Sequence, residues 1–292
     1  MFVRKKNIKG KEYYYLVVAT RREDGSQKKI EHYLGLHLPS KKEMKEYEKE
    51  FSGIKLFFEQ NKLLLQTLQK KYQTKIKNST KDELFALENE FLIQFTFDTN
   101  RIEGSKLSYK DTKYLLEEGI SPREKPLRDI KEAENHKKAY EFIKESLSND
   151  ISKEFILKLH ALLKQNVTED AGLFRTGQVR VGNLVPVKAD LIETEIENLL
   201  ESYQENKDMH PLEKAVEFHT HFERIHPFFD GNGRVGRLLL SFILLKNMFP
   251  AIIVQNKNKR RYYTALQRAD DGNILPMLKY LLFELQEQAK NW

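Results

Sequence analysis

Cysteine is absent from this chain of 292 residues, which excludes disulfide bonds and thiolate metal sites. Long apolar runs are missing too. The longest, from Leu238 to Leu245, is interrupted by Ser241 and is far shorter than the roughly 20 residues that span a bilayer. The first residues, Met1 to Lys6, carry basic side chains with no apolar stretch behind them, so a secretion signal is not indicated. We therefore expect a cytoplasmic protein without a membrane span.

Basic charge is concentrated near the start of the chain. Residues 1–80 contain 19 Lys and Arg against 9 Asp and Glu, and the remainder contains 31 against 34. The basic part predicts an acidic partner, with nucleic acid among the options, although a solvated lysine-rich surface is the simpler interpretation. With 40% hydrophobic and 32% charged residues, the chain has the composition of a folded globular protein.

Residues 1–40 are predicted to form a small basic β-meander module. Turn signals stand at Lys9-Gly10 and Asp24-Gly25, and the stretch between them is rich in Tyr and Val. Residues 41–80 are predicted to form a long helix or linker. Their apolar residues recur at steps of three and four, at positions 44, 47, 51, 54, 58, 65, 68 and 72. This heptad-like stripe suits either a homodimer or packing along the chain's own domain.

Nearly everything after residue 80 is predicted to be helical, so the fold class is mainly α. Helical patterns cover residues 82–97, 109–118, 129–147, 152–164, 190–205, 211–224, 233–247, 259–269 and 274–289. Between residues 172 and 186 the pattern changes. Thr176 to Gly182 alternates polar and apolar residues between glycines, which predicts a short β-hairpin flap.

One segment carries residues for phosphate chemistry. Asp230-Gly-Asn-Gly-Arg234 predicts a tight turn that opens a helix, whose glycines and free N–H groups would form an anion site. Arg234 and Arg237 can project beside that site, and Asp230 offers an oxygen of the kind that Mg²⁺ binds next to phosphates. His226 is suited to accept a proton at neutral pH. A base, a metal-binding carboxylate and a phosphate cradle so close together indicate a phosphate-bearing substrate.

The segment from His226 to Arg237 reads His-Pro-Phe-Phe-Asp-Gly-Asn-Gly-Arg-Val-Gly-Arg. It resembles the Fic motif, His-x-Phe-x-Asp/Glu-Gly-Asn-Gly-Arg-x-x-Arg, at every fixed position. The resemblance implies a Fic-type helical bundle, with a catalytic core over residues 126–292. It also implies a protein adenylyltransferase that uses Mg-ATP to place AMP on a Ser, Thr or Tyr hydroxyl of a target protein, the chain itself included.

The resemblance implies a role for each residue of this segment. His226 would deprotonate the target hydroxyl, and Phe228 would anchor the loop in the core. Asp230 would hold Mg²⁺ against the α- and β-phosphates, and Arg237 would reach the γ-phosphate. The residues between them would cradle the phosphates: Gly231, Asn232, Gly233 and Arg234. The target oxygen would attack the α-phosphorus and pyrophosphate would leave, so positioning and charge neutralisation carry the reaction.

Two further regions take roles from the resemblance. Residues 176–186 would form the flap that holds a target segment by strand addition. The flap residues assigned to nucleotide binding are Val179, Arg180, Val181 and Gly182. Tyr262 and Tyr263 stand where the family packs aromatic rings against adenine. Asp270 occupies a place where relatives often carry Asn, which leaves the base or ribose contact open.

An upstream motif resembles the family's inhibitory element. Thr99-Asn-Arg-Ile-Glu103-Gly104 matches Ser/Thr-x-x-x-Glu-Gly/Asn and lies in the region 81–125, before the catalytic core. A glutamate that pairs with Arg237 takes the partner meant for the γ-phosphate, and a carboxylate–guanidinium pair is strong enough to compete. We therefore expect autoinhibition by Glu103 and a low basal activity.

Related activities remain open. Doc-like phosphotransferases of the same superfamily carry lysine at the position of Gly233, so Gly233 and Arg237 favour AMP transfer. Removal of AMP, with Glu103 orienting a water, is a further alternative. His219, His221 and His226 form a His-x-His-x4-His string that could suggest zinc. Residues two apart on a helix point in different directions, however, and no Glu-x-x-His pattern or cysteine completes a ligand shell, so His219 and His221 are expected to pack in the core or to lie on the helix surface.

A hypothesis of a different class is nucleic-acid binding through residues 1–80. Tyr13, Tyr14 and Tyr15 lie among Lys and Arg and would suit base stacking. Alternate residues of a strand face opposite sides, however, so packing within the sheet is the favoured role of these rings.

Overall fold

The computed structural model describes residues 1–8, 10–21, 27–182 and 184–291. Over these residues the chain forms a three-stranded antiparallel sheet and ten α-helices, which confirms the mainly α fold class. The elements are β1 (Phe2–Ile8), β2 (Lys11–Arg21), β3 (Gln27–Gly35), α1 (Lys41–Asn78), α2 (Lys81–Ile102), α3 (Tyr109–Glu118), α4 (Leu127–Glu145), α5 (Lys153–Lys164), α6 (Ile192–Glu205), α7 (Pro211–Ile225), α8 (Asn232–Lys246), α9 (Lys259–Asp270) and α10 (Leu275–Gln288).

Local sequence fixes several helix ends. Three helices begin at a capping box. In this motif the Ser or Thr side chain at the N-cap accepts a hydrogen bond from the backbone N–H of residue N3, and the acidic side chain of residue N3 accepts one from the N-cap N–H. These caps are Ser40 for α1, Thr80 for α2 and Ser108 for α3. Helix α3 ends where Gly119 adopts a left-handed conformation with φ of 67°, which a residue without a Cβ reaches at little cost.

The N-terminal sheet has the strand order β1-β2-β3, which confirms the predicted meander. Of its predicted turn residues, Gly10 has φ of 79°, whereas Lys9 and Asp24-Gly25 lie outside the described residues. Tyr13 and Tyr15 are 0% and 1% exposed. These two rings are therefore packed within the chain itself, which is the role that the sequence favoured over base stacking, and nucleic-acid binding stays a hypothesis.

The sheet is attached to α6 by polar contacts. The side-chain amide of Asn206 accepts the Glu31 N–H at 2.9 Å and donates to the Glu31 carbonyl at 2.7 Å. The Tyr33 hydroxyl donates to Glu195 Oε2 at 2.6 Å, and Lys6 Nζ lies 3.0 Å from Glu205 Oε2. The meander is thus docked on the helical body.

Helix α1 is part of the main hydrophobic core. Ile54, Phe57, Leu65 and Leu68 are buried in the cluster that also contains the centre of α8. Residues 41–80 are therefore a packed helix and not a linker. The chain's own residues already cover this stripe, so it no longer argues for a homodimer.

Helix α8 runs through the middle of the helical body. Every residue from Val235 to Leu245 is buried, which explains why its sequence is apolar on all sides and not amphipathic. Six residues separate its N-terminus from the C-terminus of α7, so the segment from His226 to Arg237 forms the junction between these two helices and the first turns of α8. Among the described residues, no helix has the length and apolar composition required to cross a membrane.

The flap lies between α5 and α6 and has less strand structure than a regular hairpin. Within its described residues, pairing is confined to one antiparallel bridge between Val181 and Leu184. Asn183 lies outside the described residues. The side-chain amide of Gln178 also donates to the Pro186 carbonyl at 3.0 Å, which joins the two arms of the flap nearer its base.

Candidate active site

The α7–α8 junction is a tight loop held by one asparagine. Asn232 Oδ1 accepts the Phe228 N–H at 2.9 Å, and Asn232 Nδ2 donates to the Phe228 carbonyl at 2.8 Å. His226 ends α7 in a left-handed conformation with φ of 52°, and Gly231 has φ of 89°. Phe228 is fully buried, as predicted for the loop anchor. These contacts fix the loop between His226 and the N-terminus of α8.

His160 supports this loop from α5, and sequence reasoning missed it. Its ring stacks on Phe228 with centroids 3.7 Å apart. Nδ1 accepts the Gly172 N–H at 2.9 Å, so the ring proton belongs on Nε2, which can donate to the Asp230 carbonyl at 3.0 Å. Burial lowers the pKa of His160 to about 4, so the ring is neutral and serves as a fixed support.

Asp230 lies among three cations, two of which come from distant parts of the chain. Lys164 Nζ is 2.6 Å from Asp230 Oδ2, Arg128 also bonds Oδ2, and Arg234 Nη2 lies 3.4 Å from Oδ1. Burial alone would raise the pKa of Asp230, but the hydrogen bond and charge of Lys164, with the two arginines, lower it to about 2. The carboxylate is thus ionised.

Arg234 is fixed by a second carboxylate that sequence reasoning missed. Its Nη1 atom lies 2.7 Å from Glu132 Oε2, and Lys164 Nζ lies 2.8 Å from Glu132 Oε1. Burial would raise the pKa of Glu132, yet Arg234 and Lys164 hold it at about 2. Both cations are almost completely buried, so their side chains have a set geometry next to the first turn of α8.

Thr99 and Glu103, which are predicted to be inhibitory, both contact Arg237. Arg237 Nε donates to Thr99 Oγ1 at 2.7 Å, and Nη2 donates to the Thr99 carbonyl at 3.2 Å and to Glu103 Oε1 at 2.6 Å. A Cβ on Gly233 would overlap the Glu103 carboxylate. Gly104, just beyond, has φ of 95°. The C-cap residue of α2, Glu103, therefore places its carboxylate against the first turn of α8.

His226 is the residue that ends α7, at the start of the loop that leads to α8. Burial lowers the pKa of His226 to about 4, so its ring is neutral at pH 7 and able to accept a proton. Nδ1 has no hydrogen-bond partner among the described residues. The backbone carbonyl of His226 accepts from Arg175 Nε at 2.8 Å, which fixes the residue through its main chain.

Arg175 connects the flap to this junction. Its guanidinium also donates to the Gly177 carbonyl at 2.8 Å, to the Ile225 carbonyl at 3.4 Å and to the Val187 carbonyl. The side chain is 2% exposed. One buried cation thus holds both ends of the flap against the end of α7.

The predicted adenine-side tyrosines differ from each other. Tyr262 is 1% exposed and its hydroxyl bonds His219 Nε2 at 2.8 Å, so its ring is packed in the core of this structure, and its contact with adenine stays a prediction. Tyr263 is 42% exposed and offers a free aromatic face. Asp270 is the last residue of α9, and burial raises the pKa of its carboxyl group.

The remaining predicted residues lie on the flap or in the core. Arg180, Val181 and Gly182 are exposed and Val179 is half-buried, so no contact fixes them to the phosphate site in this structure. His219 is buried, and His221 stacks on Tyr33 with centroids 4.5 Å apart. The packing role predicted for these two histidines is confirmed.

Comparisons with known proteins agree on one family. The family model described as Fic/DOC matches residues 150–244. "Protein adenylyltransferase fic-1" of Caenorhabditis elegans is 30% identical over 213 residues, which are 70% of this chain and 42% of that protein. "Protein adenylyltransferase Fic" of Aedes aegypti is 32% identical over 202 residues, or 66% of this chain and 40% of that protein.

Solved structures give the same result. A Fic domain containing signaling protein from Bacteroides thetaiotaomicron superposes with a TM-score of 0.71 at 25% identity, over 77% of this chain and 94% of that one. Fic-1 of Caenorhabditis elegans superposes with a TM-score of 0.71 at 25% identity, over 81% of this chain and 72% of that one. This chain spans about two fifths of the length of the curated relatives that it matches.

Proposed function

Since this chain belongs to the Fic/DOC family, we propose that it is a protein adenylyltransferase that transfers AMP from ATP to a hydroxyl of a target protein. The observation that carries the proposal is the α7–α8 junction. It brings a neutral His226 next to a helix N-terminus flanked by the buried side chains of Arg234 and Arg237. Backbone N–H groups and guanidinium groups in that arrangement suit the phosphates of a nucleotide.

The reaction follows from these positions. His226 accepts the proton of the target hydroxyl as its oxygen attacks the α-phosphorus. A phosphodiester bond to AMP forms, the bond between the α- and β-phosphates breaks, and pyrophosphate leaves with its electron pair. The N-terminus of α8 and Arg234 neutralise the charge that develops on the phosphates. No covalent bond to the enzyme is needed.

Asp230 is the residue that would hold Mg²⁺. Its carboxylate is ionised, is 41% exposed and stands at the N-terminus of α8. Mg²⁺ often binds through one or two carboxylates together with substrate phosphates, and the described residues contain no cluster of three or more ligands that would hold it alone. When bound, the ion would neutralise the phosphate charge. Lys164 and Arg128 would keep the Asp230 carboxylate oriented toward it.

Target and nucleotide would lie on opposite sides of the junction. The flap, residues 176–186, is the proposed support for an extended target segment, and the exposed ring of Tyr263 is the proposed contact for adenine. An exposed hydroxyl of the chain itself is also a substrate in this scheme, so self-modification is the simplest assay.

Autoinhibition by Glu103 is the second part of the proposal. Glu103 and Thr99 together occupy Nε and Nη2 of Arg237, the atoms that would otherwise bind the γ-phosphate. The Glu103 carboxylate also covers Gly233, where a phosphate would approach the backbone. Nucleotide bound beside this carboxylate would sit in an unproductive position.

Transfer is tested with two labels. Purified protein and lysate are incubated with ATP labelled at the α-phosphate or at the γ-phosphate. We expect labelled protein from the first and none from the second, and loss of labelling in His226→Ala. Mass spectrometry then separates the alternatives, because a phosphate on the product in place of AMP would indicate a Doc-like phosphotransferase.

The inhibitory role is tested with a matched pair of variants. Glu103→Gly should raise self-labelling at least about tenfold, since it frees the guanidinium for the γ-phosphate. Glu118→Gly is the control, because Glu118 also stands directly before a left-handed glycine at the end of a helix. Equal labelling in both variants would contradict autoinhibition. Release of AMP from labelled protein by the wild type, but not by Glu103→Gly, would indicate the reverse activity.

A further inference from the structure

An open cleft lies between the end of the edge strand β3 and the chain that follows the flap. Its volume is about 640 Å³, and it is lined by residues 33–37 of the sheet region, by residues 187–191 and by the last turn of α7. Ile225 lines the cleft and directly precedes His226. The cleft therefore adjoins both the catalytic segment and the outgoing arm of the flap.

The backbone of β3 is open where it borders this cleft. At Glu31 the outward N–H and C=O are both satisfied by the side-chain amide of Asn206. Strand alternation turns the N–H and C=O of Tyr33, two residues on, toward the same edge, and no partner for either is seen in the described part of the chain. An edge with free donors and acceptors can pair with another extended segment.

The exposed charges of the cleft are mainly basic. Lys11, Lys188 and Arg224 line it and are exposed, and none has an ion-pair partner among the described residues. Of the two carboxylates in the lining, Glu195 already accepts the Tyr33 hydroxyl at 2.6 Å, and burial raises its pKa. Asp190 is then the one carboxylate of the lining that offsets the positive charge of Lys11, Lys188 and Arg224. The cleft thus attracts negative charge.

We propose that this cleft holds an extended, acidic segment of the target protein, continuous with the part of the target that lies on the flap. The proposal rests on the proposed function, because it lengthens the same target site. Pairing with the free edge of β3 would add affinity that does not depend on target side chains, and Lys11, Lys188 and Arg224 would select carboxylates.

A polypeptide fits these features better than a nucleic acid does. The cleft combines backbone hydrogen-bonding groups with point charges, and a phosphodiester chain has no N–H groups to pair with a strand edge. Tyr13 and Tyr15, the rings that would stack on bases, are buried. The N-terminal sheet is accordingly an extension of the target site.

The first test measures peptide binding by fluorescence anisotropy. The probe is a fluorescein-labelled peptide in which Glu alternates with Thr. One comparison peptide has Gln in place of every Glu, and another keeps the sequence but carries a methyl group on every peptide nitrogen. We expect the glutamate peptide to bind most tightly and the glutamine peptide about tenfold more weakly from the loss of ion pairs. The methylated peptide should not bind, since it has no N–H group to donate to a strand edge.

The second test places charge reversals in the cleft. The double variant Lys11→Glu with Lys188→Glu should bind the glutamate peptide at least about tenfold more weakly than the wild type does. The matched control is Lys62→Glu with Lys70→Glu, which reverses two exposed lysines of α1 and should bind as the wild type does. Equal weakening in both variants would show an effect of net charge alone and would overturn the proposal.

Other occupants are distinguished in the same experiments. Tighter binding of labelled duplex DNA, lost in the cleft variant and kept in the control, would assign the cleft to nucleic acid and overturn the proposal. A wild-type dimer that becomes monomeric in the cleft variant alone, measured by sedimentation, would assign it to a second copy. Anisotropy requires no AMP transfer, so peptide binding can fail while α-phosphate labelling succeeds, and the reverse.

Discussion

The carboxyl group of Glu223 is buried beside Arg237, and its ionisation differs from that of a glutamate in water. Burial raises the pKa of Glu223 to about 8, although the charge of Arg237 acts in the opposite direction. Its Oε1 atom has no hydrogen-bond partner among the described residues, and a Cβ on Gly236 would overlap it. The group is therefore mostly protonated at pH 7, which keeps a second negative charge away from Glu103.

Glu223→Gln should make the folded protein more stable at pH 8 than the wild type. The pKa of Glu223 rises from 4.5 in water to about 8 in the folded chain, so the wild type loses stability as the pH rises from 4.5 through 8. The glutamine side chain has no such loss. We expect the gain in the free energy of unfolding to exceed about 1 kcal/mol at pH 8 and to vanish at pH 4.5, as measured by urea denaturation at both values.

At the scale of elements, most helices follow from local patterns. Helix α3 occupies the predicted residues 109–118, and most other ends agree within two residues. Helix α2 is the exception, because it continues from the predicted end at 97 to Ile102. The run Thr96 to Asn100 is rich in polar groups that favour turns. Here those groups are buried and hydrogen-bonded. Asp98 accepts the Asn256 N–H, Thr99 accepts from Arg237, and Asn100 accepts from Arg234.

In the candidate site, too, residues that are close together in the sequence could be predicted, and residues that only folding brings together could not. The motif from His226 to Arg237 could be predicted because its chemistry lies in one stretch of sequence. Lys164, Arg128 and Glu132 could not be assigned, because only folding brings α4 and α5 to the start of α8. One signal was available. His160 and Lys164 continue the buried face of α5, and polar residues on an apolar face require a partner.

Leu65→Ala tests whether α1 belongs to the core. Leu65 is 2% exposed and Leu63, on the same helix, is 77% exposed. Truncation of the buried leucine should cost about 2–4 kcal/mol in the free energy of unfolding, and Leu63→Ala should change it by less than about 0.5 kcal/mol. Chemical denaturation of both variants measures the difference. Equal small effects would mean that α1 is dispensable for the folded state.

At the scale of the whole molecule, the sheet and the helical body are joined through a few polar groups. Asn206 satisfies both backbone groups of Glu31 and is 4% exposed. Asn206→Ala should leave a buried donor and acceptor unpaired, at a cost of about 1–3 kcal/mol. We expect faster limited proteolysis within residues 1–40 and an unchanged helical body. Asn61→Ala, which removes one bond within α1, is the control and should leave that rate unchanged.

The position of Arg175 has a consequence for protein engineering. It holds the Gly177 and Val187 carbonyls at the two ends of the flap, and no contact joins it to the described residues between Gln178 and Pro186. Arg175 therefore anchors the flap independently of the sequence between Gln178 and Pro186. Under the proposed function, a sequence grafted there would change the choice of target while Arg175 keeps both ends of the flap against the end of α7.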